Sequence, residues 1–96
     1  MANETLRGNI IEFLYKVYPA MVLELDLVSI FYQHHRDTDI RKSLAYLVDC
    51  EYVEKHEKPH PVRRFEKQVF YKLTAEGVQV AECIKRDDTV LLEGCQ

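Results

Sequence analysis

Apolar residues recur every three to four positions in the first half of the chain and every second position near residue 70, and that change of period organises it. Leu6, Ile10, Phe13, Leu14 and Val17 form one stripe, which predicts a helix over about 4–18. Asn3 is placed to cap it and Glu4 suits its first turn. Gly8 weakens it by about 1 kcal/mol relative to Ala, and Pro19 ends it. Met21-Val22-Leu23 reads as a very short strand or a core-filling connector. A second helix is expected over 24–33, with Leu27, Ile30 and Phe31 on one face, before His34-His35-Arg36-Asp37 breaks the rhythm. Asp37 or Thr38 opens a third helix, about 38–49. It buries Ile40, Leu44, Leu47 and Val48 and turns Asp39, Arg41, Lys42, Ser43 and Tyr46 outward.

From Glu51 onward the pattern is extended. One strand is expected over 52–58, and Pro59-His60-Pro61 excludes the middle of a helix or a paired strand. Lys67 to Leu73 alternates Gln68, Phe70 and Lys72 against Val69, Tyr71 and Leu73, a second strand over 67–73. The two make an antiparallel hairpin with a long tip. Thr74 caps a last helix over 75–86 that carries Val78, Ala81 and Ile84. In the tail, 87–96, Leu91 and Leu92 form an apolar pair, docked on the body or used between subunits. The expectation is one α+β domain.

Composition narrows the function classes. The 96 residues hold thirteen Lys and Arg against sixteen Asp and Glu, net −3, which excludes a wholly basic nucleic-acid coat. Six Tyr and four Phe supply anchors that disordered chains lack. The charge is uneven, however. Residues 51–72 carry six basic and four acidic groups, and Lys55, Lys58, Arg63, Arg64 and Lys67 crowd the turn-like stretch, with His56 and His60 among them. The start has no signal-peptide pattern, and the longest apolar run, Pro19 to Leu23, is far short of the roughly 20 residues that cross a bilayer. A soluble, cytoplasmic protein is expected, without membrane partners. Cys50, Cys83 and Cys95 contain no CxxC pair. Cys50 and Cys83 read as core or boundary residues in a reducing compartment, and Cys95 as a free surface thiol.

The residues from Ile40 through Leu44 and Leu47 to Tyr52-Val53 resemble the recognition helix and following strand of small winged helix-turn-helix regulators. Phe70-Tyr71-Lys72-Leu73-Thr74-Ala75-Glu76-Gly77 is similar to the Tyr-x-Leu-Thr-x-x-Gly junction of that family. The resemblance covers about residues 6–86. It implies a three-helix core, an antiparallel β-hairpin wing and a C-terminal helix. Glu51 departs from the pattern, standing where the family often has the glycine that suits a left-handed helix end, so a rebuilt end is expected there.

The resemblance implies that the third helix enters the DNA major groove while the wing reaches phosphates or the minor groove. Thr38, Arg41, Lys42, Ser43 and Tyr46 would then face bases, and Lys55, Lys58, Arg63, Arg64 and Lys67 would meet phosphates. A sequence-specific, dimeric transcriptional regulator follows, paired through the terminal helices or the Leu91-Leu92 tail. The alternative is a protein-interaction or assembly module without DNA binding, which the acidic net charge and the Asp37/Asp39 pair favour. Arg41 and Lys42 also suit a merely solvated face, and Asp37 and Asp39 a helix cap. No HExxH, clustered Cys/His set or glycine-rich phosphate loop exists, so no catalytic residue, metal or cofactor is expected. His56, Glu57 and His60 remain only an adventitious metal set.

Overall fold

A computed structural model describes residues 3–92. In chain order it contains α1 (Asn3–Val17), β1 (Val22–Leu23), α2 (Glu24–Phe31), α3 (Asp37–Asp49), β2 (Val53–Pro59), β3 (Lys67–Leu73) and α4 (Ala75–Ala81). The architecture is α+β, with the helices against an antiparallel sheet of order β1-β3-β2. Leu6, Ile10, Ile11, Leu14, Leu27, Ile40, Leu44, Leu47 and Leu73 are wholly buried in one cluster. No described helix is long and apolar enough to cross a membrane.

The helical stripes account for this core. Ile11 joins the α1 stripe at full burial, while Phe13 sits at its edge and packs edge-on against Phe31, ring centroids 6.4 Å apart. Asn3, expected as the cap, already lies within α1. Helix α2 stops at Phe31 rather than residue 33, where the amides of both His34 and His35 turn back to the Phe31 carbonyl. In α3 the N-cap is Arg36, whose side chain makes no capping bond. Asp37 and Asp39 instead occupy the first turn, where the helix dipole favours them.

The end of α3 is not rebuilt. Glu51 itself takes the left-handed conformation, φ 67°, while its amide bonds Val48 O at 2.9 Å and the Tyr52 amide bonds Leu47 O at 3.1 Å. That is the six-to-one and five-to-two closure in which glycine has no steric cost. Glu51→Gly is therefore expected to raise stability by about 0.5–1 kcal/mol, the relieved strain outweighing the greater unfolded-state freedom of glycine. Urea unfolding measures it; a loss of stability would mean that Glu51 is not strained.

The hairpin pairs Val53 with Leu73 at the body and Pro59 with Lys67 at its outer end, and β1 pairs Val22 with Tyr71. Thr74 joins it to α4. Its hydroxyl accepts from the Gly77 amide at 3.0 Å and donates to Glu51 O at 2.6 Å, tying the α4 cap to the end of α3. Helix α4 ends at Ala81, short of the expected 86. Cys83 turns left-handed (φ 63°), and the amides of Ile84 and Lys85 both return to Gln79 O. The predicted stripe shifts accordingly: Val80 is buried and Ile84 is 71% exposed. Cys50 is free and packs at the core margin, as its spacing predicts. Cys83 instead is exposed and disulfide-bonded, not a boundary thiol. Cys95 lies outside the described residues.

Residues 87–92 form a strap across the helices. Thr89 O accepts from Arg7 Nη1 (3.1 Å), Thr89 Oγ1 from Tyr46 OH (2.8 Å), and Glu4 O from the Leu91 amide (3.0 Å). Val90 is buried and Leu92 packs on the core, whereas Leu91 stays 53% exposed. Asp87 anchors the segment, accepting from Tyr52 OH and from the Thr89 hydroxyl and amide. Burial opposes the Asp87 charge, but the hydrogen bonds from Thr89 and Tyr52 outweigh it and hold the carboxyl below its ordinary range. A carboxyl lowered by folding contributes stability above its unfolded pKa, near 4, and that contribution fades as pH falls through the lower folded value. The strap is thus expected to loosen below about pH 4. The protection factor of the Thr89 amide, its exchange rate relative to the intrinsic rate at the same pH, should fall there in the native protein, and less steeply in Asp87→Asn. Equal acid response of the two proteins would remove Asp87 as the anchor.

Candidate functional site

The two elements that carry the candidate residues are α3 and the hairpin, and the fold treats those residues unequally. On α3, Thr38, Arg41 and Lys42 are exposed. Ser43 is not: at 3% exposure it lies on the buried stripe with Ile40, Leu44 and Leu47. Tyr46 is also turned from the outward face. Its ring lies under the Arg7 guanidinium, 3.8 Å from centroid to Cζ, and its hydroxyl is used by Thr89. The outward surface of α3 is therefore narrower than expected, and Asp37 shares it with the two cations.

Arg41 has a structural partner. Its Nη1 donates to Glu24 Oε1, and Tyr71 OH donates to the other oxygen of the same carboxylate at 2.8 Å. This links α3, α2 and β3 through one side chain. Burial, and then the hydrogen bond to Glu24, raise the Tyr71 hydroxyl well above its ordinary pKa. Glu24 was invisible to sequence reading because its partners are distant along the chain. Lys42 has no ion pair among the described residues.

The hairpin register sorts its cations by face. Lys55, Glu57 and Pro59 lie opposite Tyr71, Val69 and Lys67. Strand alternation then puts Lys55 and Lys67 on one face and Lys58, with Lys72, on the other. Carboxylates stand among them. Glu57 lies 3.9 Å from Lys55 and 3.8 Å from Lys67, and Glu66 lies 3.6 Å from Arg63. Such exposed pairs are worth about 0–1 kcal/mol, so a phosphate can displace the carboxylate, although the carboxylate stays nearby. Lys58 rests 5.5 Å from the Phe70 ring centroid, and Arg64 has no ion pair among the described residues.

The tip holds what the sequence reading missed. Residues 61–67 are all exposed, with Val62 at 82% and Phe65 at 103%. An aromatic residue inside a proline-bounded turn was the available signal. His60 is used structurally: its Nδ1 accepts from the Val62 and Arg63 amides at 3.1 and 3.0 Å, which places its proton on Nε2. His56 Nε2 faces Glu54, 3.4 Å away, without forming a hydrogen bond. Among the described residues no three His, Cys, Asp or Glu are grouped to hold a metal. A cavity of about 380 Å³ beside the end of α3 is lined by Glu51, Glu54 and Glu76, a setting that repels anions. Neither the known family models nor the characterised proteins include a match to this chain.

Proposed function

We propose that the chain is a winged helix-turn-helix protein that binds double-stranded DNA as a small dimeric transcriptional regulator. The observation that carries this reading is the exposed hairpin, whose cations occupy both faces and the tip; Thr38, Arg41 and Lys42 of α3 are exposed as well. A β-ribbon with cations on two faces suits the two phosphate walls that flank a groove. The contact is then mainly to backbone, with Thr38 and Lys42 left to read base edges and Arg41 divided between DNA and Glu24. Two copies double a small readout, and a symmetric pair fits paired half-sites.

A second reading, a protein-interaction or assembly module, is favoured by one specific observation: Glu57 and Glu66 pair with three of the hairpin cations. Titrating the protein with mixed-sequence duplexes at low and moderate salt separates the two. Binding that weakens steeply with salt supports the DNA reading. A folded protein that binds no duplex at low salt overturns it and leaves the interaction module.

A further inference from the structure

The hairpin tip spends its hydrogen bonds on holding apolar side chains in water. The His60 amide donates to Glu66 O and the Glu66 amide to Arg63 O, both at 2.9 Å. His60 Nδ1 accepts the Val62 and Arg63 amides, Pro61 fixes the backbone between them, and Arg63 pairs with Glu66 across the turn. With Arg63 and Glu66 at its ends, the turn has Arg64 and Phe65 at its apex. Phe65 is thus fully exposed on an ordered support rather than on a loose loop.

Two neighbouring features define what this apex fits. Arg63 and Arg64 precede the ring in the turn and Glu66 follows it. Glu66 pairs with Arg63, while Arg64 has no ion pair among the described residues, which leaves a net positive apex that matches a polyanion. The apolar area is also small. One Phe and one Val fall well below the roughly 800 Å² per partner of a stable protein interface. A wedge between base pairs, by contrast, needs only one or two apolar side chains beside cations.

We propose that Phe65, with Val62 beside it, is a wedge that enters the DNA minor groove at a flexible base step, while Arg63 and Arg64 hold the flanking phosphates. This rests on the DNA-binding reading above and adds to it a bent duplex and a preference for deformable steps. Pyrimidine–purine steps such as TpA unstack most readily, so they are the expected points of entry.

The test uses the full chain and short duplexes end-labelled for energy transfer, one A·T-rich with central TpA steps and one all G·C. The wild-type protein should bend the TpA duplex and bind it about tenfold more tightly than the G·C duplex. Phe65→Ala should lose the bend and the preference yet keep the salt dependence, and Phe65→Leu should restore both in part. Binding without bending, or equal bending by Phe65→Ala, overturns the wedge and leaves DNA binding standing. No binding to either duplex overturns both, as would binding only to phosphatidylserine vesicles or only to protein.

Discussion

Gly8→Ala is expected to destabilise the protein by about 3 kcal/mol, although helix propensity alone predicts a gain of about 1 kcal/mol. The two effects have opposite signs, so the experiment decides between them. A Cβ at residue 8 would lie 1.6 Å from the Leu91 carbonyl oxygen and 2.5 Å from its carbon, both backbone atoms. Neither side can easily give way. Shifting α1 would pull the wholly buried Leu6, Ile10 and Ile11 from their contacts. Shifting the strap would strain the Leu91–Glu4 and Arg7–Thr89 bonds and uncover Val90. Urea unfolding of the two proteins gives the answer directly, and a more stable Gly8→Ala protein would show that the strap does not lie against α1.

The largest expected functional effect is the charge reversal Arg63→Glu/Arg64→Glu, which should lower duplex affinity on the order of 100-fold at low salt. Each phosphate contact contributes about −0.9 to the slope of log affinity against log salt, so losing two should make that slope shallower by about 2. Both side chains are exposed and, among the described residues, only Arg63 of the two is paired, at the surface, so folding should be nearly unaffected. Arg41→Ala provides the contrast. It strips Glu24 of its cation and should cost stability, whereas Lys42→Ala should weaken binding without touching the fold. Unchanged duplex affinity in the double Glu variant would remove the tip from the DNA contact.

What the sequence made legible was local. The stripe Ile40, Leu44, Leu47 marks α3, and the alternation of Val69, Tyr71 and Leu73 against Gln68, Phe70 and Lys72 marks β3 and its two sides, of which the structure buries Tyr71 and Leu73. Ser43 could have been placed by the same period. Its polarity suggests an outward position, but it stands three residues after Ile40 and beside Leu44, on the buried stripe. The end of α4 was not legible, since Cys83 takes the left-handed conformation without the glycine that usually announces it. Gly8 looks in sequence like a weak helix residue and nothing more, because its real constraint, the Leu91 backbone, lies far along the chain. Arg41 likewise looks like an unattached cation, because nothing local reveals Glu24. At the tip, attention to charge picked out Arg63 and Arg64 and passed over Phe65 between them and the strand.

The strap also sets a timetable for synthesis. Arg7 and Thr89 are 82 positions apart, so at about 5–20 residues per second the ribosome needs roughly 4–16 s after making Arg7 to supply its partner in the strap. During that interval the Gly8 side of α1 lacks the strap that covers it in the finished fold. Closure of the strap is therefore a late event relative to the synthesis of α1, and α1 is fully covered only once residues 87–92 are available.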